Sequence, residues 1–304
     1  MQRLTINFWR IVLTLAIACL SSSVSAHPGS GIAVDRLGQV YFLDTGSGLW
    51  KIDAKGRLIH LSSKLFHWLA LDAKDRFADA QLPSNAGTGL DWEILKVGVN
   101  PTVLIASDFP IAMSQDGNLY FPSGRSGDLR IMRAMAGGTT SVLVKLPATV
   151  KDEPLPNING ITTGPNGSVY YTENSAIRRI TAQGVISTFA TVRNPSSMPS
   201  IPATDQHPYL RGLAVDTRGA VYVADTGNAR VLKITPDEKA TTLHQTESPW
   251  SPTDVALFGD HVYVLEFLHT AQDVRRDWLP RVRKITAEGK STIIATVDQM
   301  PGAR

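Results

Sequence analysis

The chain has 304 residues, of which 43% are hydrophobic and 19% charged, and its formal net charge is +3 at pH 7. This composition supports a sizeable core and gives no electrostatic basis for binding nucleic acid. The only cysteine, Cys19, excludes an intramolecular disulfide framework and a multi-cysteine metal site.

The first predicted element is a secretory leader over residues 1–26. Two arginines flank its start, the apolar run Ile11 to Leu20 follows, and Val24-Ser25-Ala26 supplies the small residues that a signal peptidase recognises. The apolar run is shorter than the roughly 20 residues that span a bilayer, so we expect cleavage and no membrane span. Residues 27–304 then carry a charge of +1 and no cysteine. We expect a periplasmic or secreted protein, with lipidation at Cys19 as the alternative.

One pattern recurs through residues 27–304: a short apolar strand, a turn with Asp or Gly, a second strand usually containing Val-Tyr, and an acidic residue. Its two clearest copies are Gly31-Ile32-Ala33-Val34-Asp35, followed by Val40-Tyr41, and Gly212-Leu213-Ala214-Val215-Asp216, followed by Val221-Tyr222. Six copies, one of them degenerate, start at residues 32, 69, 111, 161, 213 and 255. Each interval accommodates four short strands.

Such units bury their faces only against one another, and radial closure removes their exposed edges. The sequence therefore predicts an all-β fold, a six-bladed β-propeller of four-stranded antiparallel blades. We expect residues 27–304 to form this propeller as a single domain.

The motifs within residues 212–230 resemble the NHL repeat. Asn159-Gly160-Ile161 and Pro252-Thr253-Asp254-Val255-Ala256 resemble the senescence-marker-protein/gluconolactonase group of six-bladed propellers. That resemblance implies a divalent cation at the channel mouth, Ca²⁺ or similar, held by a Glu of the first blade, an Asn of an Asn-Gly step and an Asp of a Pro-Asp-Gly step. Asn159 matches the second ligand, whereas Ser30 and Arg211 occupy the other two positions. A lactonase-like site here must therefore be a modified one.

A ligand site is expected where first strands begin, because long loops surround that face. These loops are Lys151 to Asn157, Asn194 to Tyr209, and Glu266 to Pro280. The register places six residues two positions before the first strands, namely Ser30, His67, Phe109, Asn159, Arg211 and Thr253.

From this register we predict catalytic roles for His67 as acid or base, Arg211 as a fixed cation and Asp254 as a carboxylate. Asn159 is predicted to bind the ligand, and Asn159 with Asp254 to bind a metal. Together they are expected to bind and polarise an anionic or carbonyl ligand. The alternative is that these groups hydrogen-bond loop backbone or channel water.

The ends of the second strands add a ring of acidic residues, Asp44, Glu173, Asp225 and Glu266. Hard oxygen ligands of this kind suit Ca²⁺. Asp44 and Asp225 begin Asp-Thr-Gly turns, which also explains their carboxylates as acceptors of backbone amides. Glu173 and Glu266 depart from that turn and are predicted to bind ligand.

Two functions remain open from the sequence. The first is a propeller that binds a peptide, glycan or small anion on its loop-rich channel face. The second is a metal-dependent periplasmic hydrolase or lyase of lactonase type with a modified site. Neither depends on nucleic acid, and the sequence does not define an oligomeric state.

Overall fold

The computed structural model describes residues 29–80, 91–99, 101–124, 128–147, 158–193, 209–268 and 279–298. The predicted leader with Cys19, and the loops at 151–157, 194–208 and 269–278, lie outside the described residues. The strands are β1 (Ile32–Val34), β2 (Val40–Asp44), β3 (Gly48–Ile52), β4 (Leu58–Ser62), β5 (Trp68–Asp72), β6 (Trp92–Val97), β7 (Thr102–Ser107), β8 (Ala112–Met113), β9 (Asn118–Ser123), β10 (Arg130–Met135), β11 (Thr140–Lys145), β12 (Ile158–Thr163), β13 (Val169–Glu173), β14 (Ala176–Ile180), β15 (Ile186–Thr191), β16 (Leu210–Val215), β17 (Val221–Asp225), β18 (Arg230–Ile234), β19 (Ala240–Gln245), β20 (Trp250–Phe258), β21 (His261–Leu268), β22 (Pro280–Ile285) and β23 (Ser291–Thr296).

Helix is nearly absent from the described ranges. Two single turns of 3-10 helix occur, at Pro165–Gly167 and Thr226–Asn228. In this part of the chain, no helical segment has the length and hydrophobicity that crossing a membrane requires.

The strands form six antiparallel sheets, which confirms the predicted six-bladed propeller. Five sheets have four strands in chain order, β1 to β4, β8 to β11, β12 to β15, β16 to β19 and β20 to β23. The second blade differs, because its described strands are ordered β5-β7-β6. Asp72 accepts a hydrogen bond from the Phe77 amide at 2.6 Å, so the chain turns around Asp72 after β5 instead of returning at once as a hairpin. This different strand order occurs in the blade that begins with the degenerate repeat copy at residue 69.

The ring closes between the first and sixth blades without any strand exchange among the described residues. The inner strand β1 packs directly on β20 and β21. One hydrogen bond joins them across the closure, from the Ile32 amide to Asp254 Oδ2 at 3.2 Å. Phe42 of the first blade and Phe267 of the sixth are fully buried in one shared apolar cluster. Burial between neighbouring blades, the main favourable contribution to folding, therefore also closes the ring.

Candidate active site at the channel mouth

The inner strands of all six blades enclose an axial cavity of about 260 Å³. Aliphatic residues such as Ile32, Leu213 and Val255 make up most of its lining. Ser30 and Asp254 are polar exceptions at the end where the first strands begin. Most of the lining residues are aliphatic, yet more of the exposed lining surface is polar than apolar, so the cavity offers hydrogen-bonding groups to a small molecule.

Irregular strand pairing shapes the cavity mouth. The ladder between β12 and β13 shifts register at Asn159, and the ladder between β16 and β17 is interrupted around Arg211. A third shift, between Pro252 and Asp254, lies on β20. Bulges re-aim side chains and are common beside active sites. Asn159 and Arg211, two of the predicted site residues, thus occupy bulged positions of the inner strands, and Asp254 directly follows one.

Asn159 is held firmly by groups from two other blades. Its Oδ1 accepts a hydrogen bond from the Tyr209 hydroxyl at 3.0 Å, and its Nδ2 donates to the Leu210 carbonyl at 3.2 Å. Its own carbonyl accepts from the indole nitrogen of Trp68 at 3.4 Å. Both ends of the Asn159 amide are therefore engaged within the mouth, and its orientation is fixed by these partners.

Asp254 is a buried carboxylate between the fifth, sixth and first blades. It accepts the amides of Ile32 at 3.2 Å and Val255 at 2.8 Å. Burial raises the pKa of Asp254 to about 7, although the two amides and the Arg211 charge each act to lower it. A Cβ atom at Gly212 would overlap the Asp254 carboxylate, so glycine at that position leaves the space that the carboxylate fills.

Arg211 lies next to Asp254 and is only 3% exposed. Its carbonyl accepts a hydrogen bond from the Thr172 hydroxyl at 2.8 Å, which ties the fourth blade to the fifth. Burial lowers the pKa of Arg211, while Tyr209 and Asp254 act in the opposite direction. The predicted cation and the predicted carboxylate are thus brought together and interact electrostatically.

His67 stands at the rim of the mouth. Its side chain is 26% exposed, and its Nδ1 lies 3.4 Å from Asp108 Oδ1. Its backbone carbonyl accepts the Ser30 amide at 2.7 Å. His67 is therefore coupled to the mouth through the backbone of Ser30, and its ring faces Asp108 and the neighbouring Trp68 ring.

Glu173 and Glu266, the two predicted acidic ligands, each pair with arginine inside their own blade. Glu266 is fully buried, with Arg281 Nε at 2.5 Å and Arg283 Nε at 2.9 Å. Glu173 pairs with Arg178 Nε at 2.8 Å. Neither carboxylate belongs to the described lining of the axial cavity.

Asp44 and Asp225 act as acceptors within their turns. The Asp44 carboxylate accepts a short hydrogen bond from the Ser47 hydroxyl. Asp225 Oδ2 accepts from Asn228 Nδ2 and Arg230 Nε, both at 2.8 Å. Asp44 Oδ1 also accepts the Gly46 amide at 3.1 Å, the backbone contact that the turn interpretation of this segment predicts.

The described donors do not fit the divalent cation that the resemblance implies. Asn159 uses both ends of its amide, and the cationic Arg211 lies beside Asp254. Over the described ranges, no group of three or more His, Cys, Asp or Glu side chains is placed to hold a metal ion. The metal role of Asn159 and Asp254 stays a prediction without support from these contacts, and we derive no step through a metal.

Sequence reasoning assigned no role to Trp68 or Tyr209, yet both contact Asn159. Each lies within two residues of a predicted site position, Trp68 after His67 and Tyr209 before Arg211. The sequence does contain a signal for both residues, namely a Trp or Tyr close to a predicted site position. Such side chains combine apolar packing with one hydrogen bond.

The fold and the cavity define a six-bladed propeller with a site at its channel mouth. A model of the SMP-30/gluconolactonase/LRE-like region matches residues 111–265, about half of the chain. The chain belongs to the SMP-30/gluconolactonase/LRE-like family. No curated protein matches the chain.

Solved structures share this fold at low sequence identity. A luciferin-regenerating enzyme is 15% identical, with 90% of this chain and 94% of that chain covered and a TM-score of 0.51. The calcium-binding protein regucalcin from Agrobacterium tumefaciens strain C58 is 17% identical, with 78% and 82% covered and a TM-score of 0.50. A virginiamycin B lyase from Staphylococcus aureus is 15% identical, with 90% and 85% covered and a TM-score of 0.48. At these identities, the similarity to the luciferin-regenerating enzyme and to regucalcin concerns the fold and not the activity.

Proposed function

We propose that this protein binds a small carbonyl compound in the axial cavity, where Asp254 and Ser30 hydrogen-bond to the carbonyl oxygen. One observation carries the proposal. Ser30 is 3% exposed and lines the cavity, and its hydroxyl makes no hydrogen bond within the described residues. A buried hydroxyl of this kind is costly unless a ligand or water satisfies it.

The chemistry of the cavity supports a carbonyl ligand. With a pKa of about 7, Asp254 is substantially protonated at neutral pH and can then donate a hydrogen bond. A neutral carboxyl group in an apolar site is an established way to bind a carbonyl oxygen. The nearby Arg211 favours an electron-rich ligand atom, and the volume of about 260 Å³ favours a small molecule over a peptide or glycan.

The proposal is tested by calorimetric titration with δ-valerolactone between pH 5.5 and 8.5. Affinity is expected to fall about tenfold per pH unit above pH 7, because only the protonated carboxyl donates. In Asp254→Asn the amide donates at every pH, so this dependence is expected to vanish. Ser30→Ala should weaken binding by about three- to tenfold through loss of one hydrogen bond.

The matched control is Ser63→Ala, which removes an exposed hydroxyl away from the cavity and should leave affinity unchanged. Absence of saturable binding, or a wild-type affinity indifferent to pH, would overturn the assignment.

A second candidate is hydrolysis of such a ligand, which the near-neutral pKa of Asp254 favours. Water would add to the carbonyl carbon and give one proton to the ionised Asp254 carboxylate. The ring C–O bond would then break, and Asp254 would deliver that proton to the leaving ring oxygen. Arg211 would stabilise the developing negative charge, and His67 is the predicted additional acid or base. Conversion of δ-valerolactone to 5-hydroxyvalerate, lost in Asp254→Ala and Asn159→Ala, would support it. If the lactone remains intact after prolonged incubation, hydrolysis is excluded and only the binding function remains.

We further propose that the protein is exported, on the pattern of residues 1–26. Expression of the full sequence in a Gram-negative host should deliver it to the periplasm with His27 as its first residue. Retention in the cytoplasm with the leader intact would contradict export.

A further inference from the structure

A second cavity, of about 330 Å³, lies on the face opposite the channel mouth. It opens between the fifth and sixth blades, next to the turns that follow β16, β20 and β22. Asp216 and Lys233 line it from the fifth blade, and Asp260 and His261 line it from the sixth. We call it the groove.

The first blade provides an internal comparison, because Asp35 occupies the same repeat position as Asp216. Asp35 Oδ2 accepts hydrogen bonds from Gln39 Nε2 at 2.8 Å, from the Tyr41 hydroxyl at 3.2 Å and from Thr102 of the next blade at 3.3 Å. The corresponding cavity between the first and second blades is only about 30 Å³. There Asp35 Oδ2 is satisfied by Gln39 and Tyr41 of its own blade and by Thr102 of the next blade.

The fifth blade lacks this arrangement. Ala220 stands where the first blade has Gln39, and Asp216 uses only Oδ1 in its turn, accepting the amides of Arg218 and Ala220 at 2.9 Å. Asp216 Oδ2 makes no hydrogen bond within the described residues, and its one ion pair there is a long one of 3.5 Å to Arg218, whose side chain is 80% exposed. In the sixth blade, His261 Nδ1 is likewise buried without a hydrogen bond in the described part of the chain.

We propose that the groove binds a small neutral polyhydroxy compound between Asp216 and His261. Buried polar atoms are almost always satisfied, so two atoms without a hydrogen bond, one from each of the two blades that line this cavity, point to a ligand that bridges them. The volume of about 330 Å³ is within the usual range for a small-molecule site.

The class of ligand follows from the lining. Asp216 Oδ2 accepts only, whereas an imidazole nitrogen donates or accepts, and a hydroxyl group suits both. Two acidic side chains, Asp216 and Asp260, are balanced by two basic ones, Arg218 and Lys233, so the groove favours no net ligand charge. A compound with several hydroxyl groups meets both conditions.

The test is a calorimetric titration with myo-inositol, with sodium acetate and ethylammonium chloride as charged comparators. Wild type is expected to bind myo-inositol saturably and neither ion. Asp216→Asn keeps the Oδ1 acceptor and replaces Oδ2 by a donor, so affinity should fall at least about tenfold with the fold intact. Ala220→Gln should also abolish binding, because it copies the residue that satisfies Asp35.

The matched control is Asp35→Asn, which should lower stability by breaking the contacts to Gln39 and Thr102 but leave inositol binding unchanged. Thermal unfolding of each variant distinguishes misfolding from a lost site. Equal binding by wild type and Asp216→Asn, no binding by wild type, or selective binding of either ion would overturn the proposal.

Discussion

Replacing Asp254 by asparagine should change how the stability of the protein depends on pH. In the folded state the pKa of this carboxyl is about 7, against an ordinary value of 3.8. Between these values the folded protein holds a proton that the unfolded chain has released, so the contribution to stability is complete below pH 3.8 and is lost as pH rises to 7. Each pH unit is worth about 1.4 kcal/mol, so the whole effect is about 4 kcal/mol, of which about 3 kcal/mol falls between pH 5 and 8.

Urea unfolding followed by tryptophan fluorescence measures this effect in wild type and Asp254→Asn at half-unit steps from pH 5 to 8. Asparagine offers one acceptor to the Ile32 and Val255 amides where aspartate offers two, which adds an offset independent of pH. The informative quantity is therefore the slope. Relative to the variant, wild type should lose about 2 kcal/mol of stability between pH 5 and 7 and a further few tenths of a kcal/mol up to pH 8, where the two curves become parallel. Parallel curves across the entire range would show that Asp254 titrates as an ordinary carboxylate and would refute the reasoning.

The remaining predictions concern packing around the same blades. Gly212→Ala should destabilise the protein by about 1–3 kcal/mol, because the added Cβ displaces the Asp254 carboxylate, whereas Gly137→Ala, with open space around the added atom, should stay within about 0.5 kcal/mol in urea unfolding. Glu266→Ala should cost about 3–5 kcal/mol, because it removes the buried carboxylate that pairs with Arg281 and Arg283 and leaves them only Glu247, which is 55% exposed. Asp79→Ala, whose partner Lys96 is on the surface, should leave the unfolding midpoint unchanged. A loss at Glu266 no larger than at Asp79 would contradict the structural role of the buried ion pairs.

The fold was predictable because its signals are local. The Asp35 and Asp216 repeats carry turn, strand and apolar alternation within a few residues, and repetition of such a unit implies stacking. The strand order of the second blade was harder to predict from the sequence, because it depends on the turn after Asp72, and that turn departs from the repeat. Ring closure depends on contact between Ile32 and Asp254, 222 residues apart, and no local pattern encodes that contact.

The site was predictable only in part. Register alone placed Asn159, Arg211 and Asp254 around the mouth, and the structure brings the last two together. Register did not reveal the bulges that orient them, since a bulge depends on pairing with the neighbouring strand. The pairing of Glu266 with Arg281 was equally hidden, because the two residues lie on different strands of the blade.

The most direct test of the channel-mouth site is a backbone amide NMR titration of the protein with δ-valerolactone at pH 6 and pH 8. The Ile32 and Val255 amides donate to Asp254, so they report on any ligand that engages that carboxyl. Both amides are expected to show saturable shifts at pH 6, with affinity that weakens at pH 8. Saturable binding that leaves these two amides unshifted, or no binding at either pH, would contradict it.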